Sequence, residues 1–115
     1  MQQVVITRGE FKSEQEAIAL AEAAGLFPVA LDLESSGIDH WHDFGASAYV
    51  IDGSVTITDV DSGSSYVLTA GCSIKASSGG VHREEGAPYR AVIAFESDPA
   101  GLTMPIDKAP ADRPA

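Results

Sequence analysis

The chain holds three histidines, His40, His42 and His82. Only Trp41 separates the first two, and residues i and i+2 of an extended chain point to the same side. Their imidazoles can therefore converge on one point. His82 follows a glycine-rich stretch, residues 77–80, and opens another β-rich run. Three imidazoles form a partial coordination sphere for a divalent transition metal. They leave positions open for water or substrate, which is the layout of a catalytic metal site rather than a structural one. An HxH pair by itself also describes two solvent-facing histidines on an edge strand, or imidazoles hydrogen-bonded inside a polar barrel. The elements that carry the histidines decide between these.

Ser13-Glu14-Gln15-Glu16 reads as a capping box, with Ile18, Leu20, Ala21 and Ala24 following at helical spacing and Gly25 as the stop. The spacing predicts one short helix over residues 14–24, acting as scaffold. From Phe27 onward the pattern is that of strands: residues 27–33 alternate, 48–51 run into Asp52-Gly53, and 54–58 return. Asp-Gly between two β-rich runs predicts a hairpin. Asp61-Ser62-Gly63-Ser64 makes a second turn before Tyr66-Val67-Leu68. Gly71 breaks the chain again, and residues 89–95 form a last strong strand. Short strands separated by turn chemistry at such spacing predict an antiparallel sandwich or barrel. Residues 98–115 hold four of the six prolines and few large apolar residues. Most of that segment is expected to be a tail with no fixed structure.

The order of these signals resembles the cupin superfamily, small β-barrels of jelly-roll type. The first cupin motif has the form G-x5-HxH-x3-E-x6-G. His40-Trp41-His42 and Gly53 stand at the matching separation, and residues 48–55 look like its closing strand. Gly37 lies three residues before His40 rather than six. The second motif, G-x5-PxG-x2-H-x3-N, is matched in spacing by Gly71, Gly79 and His82, with Ser77 at the proline position and Gly86 at the asparagine position. The resemblance spans about residues 27–96. It implies an all-β, single-domain cupin barrel with one short N-terminal helix, and a metal held by His40, His42 and His82. Pairing into a homodimer is also implied.

One ligand of the cupin set is replaced. The position of the motif glutamate is Ala46, and neighbouring Ser47 faces the other way along a strand. Three neutral imidazoles leave the charge of a divalent ion uncompensated, so the ion is a stronger Lewis acid and favours a substrate that binds as an anion. Cupins with three histidines include iron dioxygenases acting on thiols or β-diketones. The resemblance thus implies a small-molecule dioxygenase using Fe(II), with Zn, Ni, Cu or Mn as other candidate ions. The alternatives are a non-catalytic binding or regulatory cupin, and an oxygen-independent metal-assisted isomerase or lyase.

Glu84 shares the face of His82 and is the candidate catalytic group, as a general base or as a partner of the ligands. Phe44, Ala46, Ala48 and Val50 continue the parity of His42 and are expected to line an apolar pocket, provided no bulge intervenes. Trp41 should face away from the site, under the helix or in a dimer contact. Cys72 reads as a small buried hydrophobe.

Composition sets the outer limits. With 115 residues and 44% hydrophobic content the chain is one globular domain, and its lone cysteine permits no internal disulfide. Seventeen acidic residues against seven basic give a net charge of −10, which repels phosphate backbones and anionic membrane surfaces. Neither a nucleic acid nor a membrane is the expected partner; a small molecule is. The N-terminus lacks the pattern of a signal peptide, so a cytoplasmic location is the expectation.

Overall fold

The computed structural model describes residues 4–76, 79–101 and 107–112. Among the described residues, eight strands form two antiparallel sheets. In chain order they are β1 (Val4–Thr7), β2 (Phe27–Leu33), β3 (Ala46–Asp52), β4 (Ser54–Asp59), β5 (Ser64–Thr69), β6 (Ser73–Ala76), β7 (His82–Glu85) and β8 (Tyr89–Phe95). One sheet has the order β1-β6-β3-β8-β2 and the other β5-β4-β7. The one α-helix among the described residues, α1 (Glu14–Ala23), lies between β1 and β2 in the chain.

The helix begins and ends as its sequence dictates. Ser13 accepts a hydrogen bond from the Glu16 amide at 3.1 Å. At the other end Gly25, with φ of +79°, sends its amide to Glu22 O, while the Leu26 amide reaches Ala21 O. These two bonds form a Schellman stop, and glycine takes the left-handed backbone without a Cβ penalty. Ala17 and Ala21, both fully buried, let the helix approach the outer face of the larger sheet, where they pack with Phe11, Tyr49, Val92 and Ala94. A second cluster, Val50, Val55, Leu68, Cys72 and Ile74, fills the space between the two sheets. Alternation along β3 divides its side chains between the two: Tyr49 joins the helix side and Val50 the inner side.

The structure departs from the sequence reading in three places. Asp52-Gly53 is not a hairpin turn, because β3 pairs with β6 and β8 while β4 pairs with β5 and β7. The dipeptide is instead a corner where the chain leaves one sheet for the other. Gly53 has φ of +83°, and a Cβ there would come within 3.2 Å of Tyr89 Cβ. Close approach and a left-handed turn both demand glycine at a corner just as they do in a hairpin, so the local signal is the same. The true hairpin is β4–β5, closed over Asp61-Ser62-Gly63. The second correction is β1, a four-residue strand that sequence reasoning passed over; it is held by pairing with β6.

The third correction concerns the C-terminal segment. Residues 107–112 are docked, not a loose tail. Lys108 and Trp41 exchange both backbone hydrogen bonds at 3.0 Å, and Pro110–Asp112 makes a 3-10 turn. The indole Nε1 of Trp41 donates to Ala109 O at 2.8 Å. A buried aromatic ring with one polar atom supplies both an apolar cover and a donor for this segment. Trp41 therefore packs beneath the C-terminal segment rather than beneath α1. Residues 102–106 and 113–115 of the expected tail, and Ser77 and Ser78 of the glycine-rich stretch, lie outside the described residues.

Candidate metal centre

The pair His40 and His42 does not lie in one of the eight strands. It belongs to an extended segment zipped onto β7: the Gly37 amide bonds Glu84 O, the His40 amide bonds His82 O and the His82 amide bonds His40 O. The Gly79 amide closes the far end on His42 O at 2.8 Å. This pairing gives the segment its extended geometry and sets His40 opposite His82. Arg83 pins the outside, with Nη1 at 2.7 Å from Asp39 and Nε at 2.9 Å from Glu85.

The three imidazoles converge as expected. His40 lies 4.4 Å from His82 and 5.1 Å from His42, ring centre to ring centre, and His42 lies 4.9 Å from His82. One nitrogen from each falls within 4.8 Å of the others, close enough to hold a metal ion. The donor set also suits a metal in its orientation. The Nδ1 of His40 stands 2.8 Å from Ile38 O, and that of His82 stands 3.3 Å from Gly80 O. A backbone carbonyl on Nδ1 selects the tautomer that leaves the Nε2 lone pair for a ligand, the arrangement common to metal-binding histidines.

Two carboxylates reach the cluster. Glu84 Oε2 is 3.1 Å from His40 Nε2, and its Oε1 is 3.5 Å from His82 Nε2. Asp107 Oδ1, on the docked C-terminal segment, is 3.6 Å from His42 Nδ1 and 3.9 Å from His40 Nε2. Nothing in the sequence pointed to Asp107. Its approach depends on the Trp41–Lys108 pairing, which no local pattern encodes.

Burial works against charge on His40, but the hydrogen bond and negative charge of Glu84, the Ile38 carbonyl and Asp107 outweigh it and raise its pKa to about 9. Burial also penalises the Glu84 carboxylate, yet His40 and His82 together hold its pKa well below the usual range. In the metal-free protein at neutral pH the two therefore form an ion pair. Tyr89, raised to about 12 by burial and by Glu84 and Asp107, stays a neutral phenol.

A stability profile follows. The His40 contribution is complete below its unfolded value of 6.5 and is lost as pH rises through about 9. The Glu84 contribution is complete above 4.5 and fades as pH falls below it. These are two views of one interaction and are counted once. The melting temperature of the metal-free protein should peak between about pH 5 and 6.5 and fall toward pH 9. Thermal melts across this range test it. A curve that is flat from pH 6 to 9 speaks against the pair.

The cluster lies in a cavity of about 540 Å³ whose other walls are largely apolar, including Leu31, Ile57, Tyr66, Ile74, Ile93 and Phe95. The volume is in the range of small-molecule sites. Phe44, Ala46 and Ala48 are among the residues that line it. Phe44 stacks on His42 at 4.9 Å and meets Phe95 at 5.5 Å, fixing the imidazole from the apolar side. Val50 does not line it. That residue is fully buried in the inner cluster with Leu68 and Ile74, beside a register shift in the β3–β8 pairing between Val50 and Asp52. Val50 keeps the inward parity of Ala46 and Ala48, in regular register with Ala91, but at its level Val55, Leu68 and Cys72 fill the space between the sheets.

No protein-family model matches the chain, and no curated protein matches it. Among solved structures it is similar to a DUF861 family protein from Thermotoga maritima. The two are 22% identical, with a TM-score of 0.59, over 81% of this chain and 99% of that one. The likeness shows the fold: a single-domain, cupin-like antiparallel β-barrel with one helix. Within that barrel three histidines stand close enough together to bind a metal ion. Among the described residues no helix is long and apolar enough to cross a membrane.

Proposed function

We propose that this protein is a metal-dependent cupin enzyme that holds a divalent ion, Fe(II) by preference, on His40, His42 and His82, and oxidises a small organic substrate with dioxygen. The observation that carries the reading is the junction of the three-imidazole cluster with an apolar cavity. A bound Fe(II) would supply an electrophilic centre for the substrate's polar end and would mediate electron transfer from the substrate to dioxygen. The chain's own residues do the rest. The Ile38 and Gly80 carbonyls orient two imidazoles, Phe44 holds the third, and the apolar walls exclude water from the reacting end of the substrate. A substrate that fits has an apolar body and one polar, chelating end.

A second reading is a small-molecule binding module without a metal. It is favoured by Glu84, which already satisfies His40 and His82. Elemental analysis separates the two. Wild-type protein, as isolated or after reconstitution with Fe(II), should carry about one ion per chain, and the His40→Ala/His42→Ala variant none. Oxygen uptake by the iron form is then measured with thiols and β-diketones. Wild type that takes up no metal overturns the enzyme reading, and ligand-induced thermal shifts would then support the binding module.

A further inference from the structure

We propose that Glu84 is the fourth protein ligand of the metal centre, standing in from β7 for the carboxylate that β3 lacks at Ala46. The inference rests on the three-histidine reading and adds to it a ligand, a charge and a substrate preference.

The first argument is which nitrogens Glu84 faces. A carboxylate that merely supports a ligating histidine accepts a proton from the nitrogen remote from the metal. In His40 and His82 that remote nitrogen is Nδ1, and backbone carbonyls already take it. Glu84 instead faces Nε2 of both rings. It stands on the side where an ion would be, so an ion bound to those two atoms meets the carboxylate directly.

The second argument is spacing. Donors bound to one ion at about 2.0–2.2 Å, at angles between octahedral and tetrahedral, lie about 2.8–3.6 Å from one another. The separations from Glu84 to His40 and His82 are 3.1 and 3.5 Å. The group whose ligand atoms all lie within 4.8 Å of one another is the three histidines, so Glu84 would have to swing off the Nε2 axes and toward His42 as an ion enters.

The third argument is burial. The Glu84 side chain is 22% exposed and its His40 partner 7%. A carboxylate partly withdrawn from water is stabilised by a cation close by, and a bound ion supplies one. The parity is local as well: His82 and Glu84 are i and i+2 on β7, so one strand presents both ligands as an HxE pair.

The chemical consequence concerns the substrate. Three histidines leave a divalent ion with its full charge, whereas Glu84 reduces the centre to a net single positive charge. Four protein ligands leave two positions of an octahedron. The centre then suits a substrate whose monoanionic end, such as an enolate or a thiolate, takes one position and leaves the other for dioxygen, rather than a dianion.

The test is a Co(II) titration of metal-free protein, read by visible d–d absorption and by competition with a chelator. Wild type should take up one Co(II). Glu84→Gln should bind about 10- to 100-fold more weakly and with an altered d–d spectrum. Glu85→Gln makes the same charge change one residue along β7, at a carboxylate that pairs with Arg83 outside the site, and should leave the spectrum unchanged. If Glu84→Gln keeps the wild-type spectrum and affinity within twofold, Glu84 is not a ligand and the three-histidine centre stands without it. If both variants change alike, Glu84 acts only through its charge and the proposal fails. Wild type that binds no Co(II) overturns the metal reading and this one with it. A crystal structure of Co(II)-loaded wild type decides independently of whether any variant folds. A Glu84 oxygen at about 2.0–2.2 Å from the ion supports the assignment, and one beyond about 3 Å overturns it.

Discussion

His82→Ala is expected to abolish metal binding while leaving the barrel folded. His82 is the histidine that the second sheet contributes to the cluster, and its removal leaves His40 and His42 on a single segment. The loss in affinity should exceed about 100-fold, the upper end of what losing a supporting contact costs. The fold should survive because the strand contacts at residue 82 are made by its backbone. The amide donates to His40 O at 2.8 Å and the carbonyl accepts from the His40 amide at 2.9 Å. Alanine keeps both bonds. Metal content and a thermal melt of the metal-free variant check the two halves of the expectation. Full occupancy in the variant would remove His82 from the ligand set. An unfolded variant would show that the imidazole packing carries the barrel.

The second large effect is expected at Trp41→Ala. The indole is 7% exposed and is the cover on which residues 107–112 rest. Removing a buried ring of this size costs about 3–5 kcal/mol, a large share of the roughly 5–15 kcal/mol that holds a domain together. Loss of the Nε1 bond to Ala109 O should release the C-terminal segment and carry Asp107 away from His42. Trp41→Phe separates the two contributions. It keeps an aromatic cover but leaves the carbonyl without its donor, for about 1 kcal/mol. Urea unfolding measures the stability, and limited proteolysis reads whether residues 107–112 have come loose. A Trp41→Ala protein within about 1 kcal/mol of wild type, with unchanged cleavage, would show that the segment docks by its backbone alone.

Much of this molecule is written in short-range pattern. Ser13, Glu16 and Gly25 mark the ends of α1 because caps are satisfied by residues a few positions away. The strands at residues 27–33 and 89–95 carry enough alternation and β-branching to declare themselves. The convergence of His40 and His42 needs nothing beyond the period of an extended chain. Their meeting with His82 was legible through the resemblance of motif spacing, since the residues between them must form a set number of strands and turns.

The failures share one cause. Asp52-Gly53 satisfies the same backbone demand whether the next strand pairs with the last or joins another sheet, so the dipeptide cannot say which. β1 is too short to show a period, and only β6 makes it a strand. Val50 obeys alternation, yet Val55, Leu68 and Cys72 from other segments close the space it faces. The Trp41–Lys108 pairing joins residues whose own sequences look like a histidine spacer and a proline-rich tail.

Glu84 shows the division most clearly. Its parity with His82 is a local fact of β7, readable from two positions in the chain. That its carboxylate faces Nε2, rather than the remote nitrogen of each ring, depends on the Ile38 and Gly80 carbonyls and on the zipper of residues 37–42 against 79–84. By itself the sequence determined the element types, the helix ends and the residues able to ligate, because these follow from backbone period and side-chain chemistry within a few residues. Sheet membership, the floor of the cavity, the docking of Asp107 and the orientation of each imidazole were decided only by tertiary structure. They are set by hydrogen bonds and packing between segments far apart in the chain, which leave no mark on the local pattern of either partner.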